Sequence, residues 1–165
     1  VELTIISATR NFDTQKRIWE NKWTGKVLVE GKDLTKVTDL KERARLILLY
    51  SSMPSTSRHH WGTDMDLNSL ENNFFESGEG LKIYSWLTTH AGEYGFCQPY
   101  TSKTDGRTGY EEEKWHWSYL PISGMLLEEY KRHVRYSDVK GFRGSETAKT
   151  LNVIDLYVDG VACRQ

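Results

Sequence analysis

Hydrophobic positions along the chain follow two alternating rhythms, one of period two and one close to 3.6. Residues 2–7 (ELTIIS) are apolar and β-branched enough for a short strand. From Asp13 the rhythm is helical: Ile18, Trp19 and Trp23 share a face, Asp13 stands where a cap belongs, and Gly25 stands where a helix would stop. Asp39, with Glu42 three residues on, gives a capping-box-like start to a second helix. Its apolar face is Leu40, Ala44, Ile47 and Leu48, and it ends near Ser51 and Ser52. Asp64, Asp66 and Asn68 then alternate with Met65 and Leu67, the period of a strand. Residues 81–91 predict a helix closed at Gly92. Residues 95–100 and 114–120 predict two strands of a long hairpin around a polar loop with Asp105-Gly106. Ser123 stands as cap of a helix carrying Leu126, Leu127, Tyr130 and Val134. Beyond the basic link KGFRG (140–144), Ala148, Leu151, Asp155 and Val158 predict a last helix. Interspersed helices and antiparallel strands give an α+β class, a small antiparallel sheet flanked by helices. The expected organisation is a single domain over 1–165, with a C-terminal helical extension from 136.

Composition narrows the function. A formal net charge of −1 argues against a protein that binds nucleic acid through a basic surface, because neutralising phosphates takes clustered Lys and Arg. No apolar run approaches the roughly 18 residues that span a bilayer, so no membrane span is expected in this chain. Cys97 and Cys163, far apart and outside any CxxC, could pair, bind metal or stay free. Of the aromatic residues, most belong to a core; Trp61, Trp115 and Trp117 are candidates for the wall of a cleft.

Chemistry concentrates in two stretches. In SRHHWGTDMDLN (57–68), two adjacent histidines on extended chain point to opposite sides, so at most one serves a given site. Gly62 supplies a turn that lets His59 converge with an aspartate of the following strand. In EEEKWHWSYLP (111–121), His116 faces away from Trp115 and Trp117. Glu113 can join it only from the loop just before the strand or from a bulge. Two histidines and one carboxylate make a three-ligand zinc site with a fourth position open for water. His90 and His133 sit near helix ends, where an imidazolium meets the C-terminal dipole, and are read as structural.

Together the two stretches resemble a known family. SRHHWGTDMD fits S-x-H-x-x-G-x-x-x-D, EKWHWSY is similar to E-x-W-H-W-x-Y, and SATRNFDTQ (7–15) is similar to S-G-Y-R-S-x-x-x-Q. In this order they resemble the VanY-type D-alanyl-D-alanine carboxypeptidases, zinc peptidases with the hedgehog/DD-peptidase fold. The likeness runs from about Ser7 to Pro121. It implies that His59, Asp66 and His116 hold Zn(2+), that Glu113 is the general base, and that Arg10 stabilises negative charge at the scissile carbonyl. It places Ser57 and Gln15 near the substrate. The implied partner is a peptidoglycan stem peptide ending in a D-amino acid, and the implied location is periplasmic or otherwise exported. Three positions depart from the pattern. Asp64 replaces a small residue, where it could add charge or compete as ligand; Ser118 replaces an Arg; Thr9 precedes Arg10 in place of Tyr.

Within the same fold the alternative is an L,D-carboxypeptidase or an endopeptidase, and three other readings compete. A zinc-retaining binding module would need neither Glu113 nor Arg10. A Cys97 or Ser57 nucleophile lacks the G-x-S-x-G elbow. A nuclease around His59 and His60 is disfavoured by the near-neutral charge.

Overall fold

The structure is a computed structural model that describes residues 1–163. The first strand, β1, is Ile5–Ser7. Helix α1, Phe12–Trp23, begins one residue before Asp13, because Asn11 in extended backbone accepts the Thr14 N–H at 2.9 Å and is the actual cap. Gln15, Trp19 and Trp23 are its buried residues, at the i, i+4, i+8 spacing of one face. The Trp19 indole N–H donates to the Arg143 carbonyl at 2.8 Å, which satisfies the polar atom of a fully buried ring. Helix α2, Leu40–Ile47, is capped by Asp39 as its sequence indicates, but Glu42 pairs with Arg45 in place of closing a capping box.

Strand β2 is Asp64–Leu67, helix α3 is Gly78–His90, strand β3 is Phe96–Cys97 and strand β4 is His116–Tyr119. The sheet runs β1-β2-β4-β3, antiparallel throughout. Asp66 lies opposite His116 and Asp64 opposite Ser118. Directly paired residues project to the same face and successive ones alternate. Asp64, Asp66, His116 and Ser118 therefore share one face, and Met65 and Trp117 share the other. The apolar face is covered by α3 and the turn before it through Phe75, Ile83 and Leu87. The polar face is flanked by the larger core of α1, α2 and the C-terminal segment, whose Tyr100 ring packs on His116 with centroids 4.8 Å apart.

Helix α4, Leu120–His133, starts ahead of the expected cap at Ser123. Pro121 in its first turn has the φ a helix start requires, and β4 leads directly into it. Ser123 is instead buried, its hydroxyl oxygen 2.9 Å from that of Ser118. The C-terminal extension is not one helix. Short turns at Tyr136–Asp138, Ser145–Thr147 and Ile154–Val158 are separated by left-handed Gly144 and Asn152. A side chain at Gly144 would run into the Trp23 ring, 2.4 Å from the Cβ position, so only glycine fits the approach. The segment packs Phe142, Leu151, Val153 and Val158 into the larger core. Its last described residue, Cys163, forms a disulfide with Cys97 of β3. Among the described residues no helix is long and apolar enough to cross a membrane.

Candidate metal centre

A 3₁₀ turn, Arg58–Trp61, carries the first histidine pair and is closed by Gly62 at φ 73°. His59 points inward and is 2% exposed. Its Nδ1–H donates to the Ala8 carbonyl at 2.7 Å, which leaves the Nε2 lone pair facing Asp66 Oδ1 at 3.3 Å. His60 points the other way, donating to the Arg10 carbonyl at 2.7 Å and accepting the Ser55 N–H at 3.2 Å. It staples two loops together. His116 on β4 donates from Nε2 to Asp64 at 2.9 Å. Its Nδ1 lies 3.3 Å from Asp66 Oδ1 and 3.1 Å from Glu113 Oε2.

Three potential ligand atoms thus converge: His59 Nε2, His116 Nδ1 and Asp66 Oδ1. His59 Nε2 and Asp66 Oδ1 are buried and have no hydrogen-bond partner. Buried acceptors facing one another repel, and the arrangement is relieved by a cation between them. His59, Asp66 and His116 offer ligand atoms all within 4.8 Å of one another, a group that could hold a metal ion. Zinc ligands in a tetrahedron with bonds of about 2.0–2.1 Å stand roughly 3.3 Å apart, the value of both Asp66 contacts. Two imidazoles and a carboxylate are also a zinc donor set.

Asp64 belongs to a different group. Its oxygens are taken by Arg58 Nε at 2.9 Å, Thr63 Oγ1 at 2.7 Å, Ser118 Oγ at 2.8 Å and His116 Nε2, on the side of the ring away from Asp66. It therefore does not compete as a ligand. Arg58 also donates to Ser118 Oγ at 2.7 Å.

Glu113 occupies the loop before β4, its N–H bonded to the Tyr100 carbonyl at 2.9 Å. A cavity of about 830 Å³ opens over the cluster and is lined by Arg10, Gln15, Lys22, Glu113 and Trp115 among others. Arg10 reaches Asp66 at 3.7 Å, and Gln15 Nε2 donates to the Ser52 carbonyl at 2.8 Å, leaving its Oε1 without a partner. Ser57 stands apart: buried at the head of the 3₁₀ turn, it does not line this cavity. Trp117 belongs to the small core and Trp61 lies under the Arg58 guanidinium, so of the three candidate wall residues only Trp115 lines the cavity.

The electrostatics are those of a desolvated site. Burial raises the Glu113 carboxyl above the ordinary range. Burial lowers His59, whereas His116, against a burial penalty of its own, is pushed up to about 10 by its bonds to Asp64 and Glu113 and by the charge of Asp66. Burial also lowers Arg10 and Lys22. Lys22 donates to Ser51 Oγ and forms no ion pair among the described residues. The sequence reading missed it. Its signal was the i+7 spacing from Gln15, which places a lysine on the cavity side of α1.

A four-stranded antiparallel sheet carrying this cluster beside a cleft has the hedgehog/DD-peptidase fold. The family model for VanY D-alanyl-D-alanine carboxypeptidases matches residues 1–122, and this chain belongs to that family. Among curated relatives it is 29% identical over 145 residues to YodJ of Bacillus subtilis (strain 168), provisionally named a carboxypeptidase. That match covers 81% of this chain and 47% of YodJ. It is 30% identical over 87 residues to a D-alanyl-D-alanine carboxypeptidase of Enterococcus faecalis (strain ATCC 700802 / V583), covering 48% of this chain and 31% of that protein. The chain thus spans about half or less of these relatives. Among solved structures, a mutant of the vancomycin-resistance D,D-pentapeptidase VanY in complex with Zn(II) superposes with a TM-score of 0.55 at 23% identity, covering 88% of this chain and 71% of that one. VanYB in complex with D-alanine-D-alanine gives 0.52 at 20%, covering 96% and 69%.

Proposed function

We propose that this domain is a zinc-dependent carboxypeptidase that removes the terminal D-amino acid from peptidoglycan stem peptides. The observation that carries it is the convergence of two imidazole nitrogens and a carboxylate oxygen beside a buried glutamate and an arginine in one cleft. The reading is further supported by VanY-type structures solved with Zn(II) and with D-alanine-D-alanine. His59 Nε2, Asp66 Oδ1 and His116 Nδ1 would hold the ion. When bound, zinc supplies a Lewis acid for the scissile carbonyl and lowers the pKa of a coordinated water towards about 7.

The remaining work falls to side chains. Glu113 takes the proton of the attacking water and returns it to the leaving amine, and its raised pKa suits both transfers. Arg10 stays protonated despite its burial and offers fixed positive charge to the oxyanion. Lys22, whose ammonium donates to Ser51 Oγ and faces the same cavity, receives the free carboxylate of the substrate. A cation there favours cleavage at a chain end over an internal bond. Export follows from where peptidoglycan lies, and the Cys97–Cys163 disulfide supports it, since disulfides persist in oxidising compartments.

The test is release of D-alanine from a peptide ending in D-Ala-D-Ala, before and after removal of metal with a chelator. Turnover that needs zinc and is restored by it is the expected result. Turnover indifferent to chelation would overturn the mechanism, and zinc binding without turnover would return the domain to a binding role.

A further inference from the structure

The strongest arrangement that the hydrolytic steps leave unused lies behind the metal cluster. Arg58 and Asp64 form an ion pair at 2.9 Å whose side chains are 2% and 0% exposed. Ser118 and Thr63 complete the Asp64 shell, and Ser123 buttresses Ser118. A fully buried ion pair is a poor stabiliser, because desolvating two charges offsets most of their attraction. What this one does have is direction. Asp64 Oδ2 accepts from His116 Nε2, so it fixes which nitrogen carries the proton, and it holds the ring in the plane where Nδ1 meets Asp66. His59 receives the same service from a backbone carbonyl, that of Ala8. The two ligands differ in how they are held, one by main chain and one by a charged side chain that is itself anchored.

We propose that Asp64 is a positioning residue for the metal centre: anchored by Arg58, it holds His116 in the tautomer and orientation that present Nδ1 to the ion. This rests on the zinc-site reading above. It makes Asp64 and Arg58 a unit that matters to metal affinity although neither touches the metal or the substrate. Backing of a ligand histidine by a carboxylate is worth about 10–100-fold in metal affinity.

The experiment is a competition titration of zinc between a chromophoric chelator and the whole domain, for the parent, Asp64→Asn, the double variant Arg58→Leu/Asp64→Leu, and His116→Ala. The double variant removes both charges at once, a replacement buried ion pairs commonly tolerate, and so guards against an unpaired Arg58 that unfolds the single variant. Both Asp64 variants are expected to bind zinc about 10–100-fold more weakly. In the cobalt(II)-loaded protein they should also shift the visible absorption bands, a change that a merely structural role would not produce. Folding is followed by thermal melting. If the folded double variant binds zinc within about twofold of the parent, with unaltered cobalt bands, the proposal is wrong. If His116→Ala keeps its zinc, the metal-site reading itself fails, which is a separate outcome.

Discussion

Two histidine–glutamate pairs in this protein share spacing and distance yet differ in almost everything else. His90 and Glu93 are three residues apart at the end of α3, with Nδ1 3.1 Å from the carboxylate. Glu113 and His116 are also three apart, and also 3.1 Å. The first pair is 40% and 64% exposed, the second 4% and 6%. Water screens the first, and exposed pairs of this kind contribute at most about 1 kcal/mol. Around the second, water has been replaced by Tyr100, Asp66, Asp64 and His59, and the same two groups acquire shifted protonation and a shared target. Distance makes a contact; desolvation and the convergence of further acceptors make a site.

The sharpest way to break that comparison is to remove one histidine of each pair. His116→Ala is expected to bring zinc, measured by elemental analysis, from near one per chain to none and to abolish turnover, whereas His90→Ala keeps both. The next largest effect falls on the acids. Glu113→Gln should lower kcat by about 10²–10⁴-fold while zinc stays bound, and Glu93→Gln should leave kcat unchanged. Loss of zinc from Glu113→Gln would show that this glutamate works as a ligand. A smaller effect is expected at the far side of the cleft. Lys22→Met should raise KM for a peptide with a free C-terminal carboxylate by about 10–150-fold, the worth of one charged hydrogen bond. It should leave the corresponding C-terminal amide unaffected, and an equal change for both peptides would remove Lys22 from carboxylate recognition. The smallest effect is on stability: unfolding of Glu93→Gln should lie within about 0.5 kcal/mol of the parent by denaturant titration.

Much of the fold was legible because it is local. The period-two run from Asp64 and the helical run from Ile18 each record which face of an element is buried, and burial is what a hydrophobic pattern encodes. Where the reading slipped, a longer-range contact had decided. Asn11, not Asp13, caps α1; α4 begins before Ser123, whose hydroxyl is spent on Ser118. The final segment has apolar residues near helical spacing yet folds as separate turns, since Gly144 must pass against Trp23 and Asn152 turns left-handed. Lys22 escaped notice because a lone lysine on a helix is usually solvated, and only the cavity shows that this one is not.

The sequence by itself determined the chemical inventory: which residues can ligate, which can carry a proton, and, through S-x-H-x-x-G-x-x-x-D and E-x-W-H-W, that they belong to a VanY-type domain. It could not determine which atom of each histidine is free, whether Asp64 ligates or supports, or whether Cys97 and Cys163 meet. Those are matters of direction and of separation through space between residues up to 66 positions apart. Only the strand register, which sets Asp66 against His116 and Asp64 against Ser118, the Ala8 carbonyl brought behind His59, and the packing that carries Cys163 back to Cys97 decided them. A hydrogen bond is short-ranged and directional, so the partner that fixes a tautomer is known only once the chain has folded.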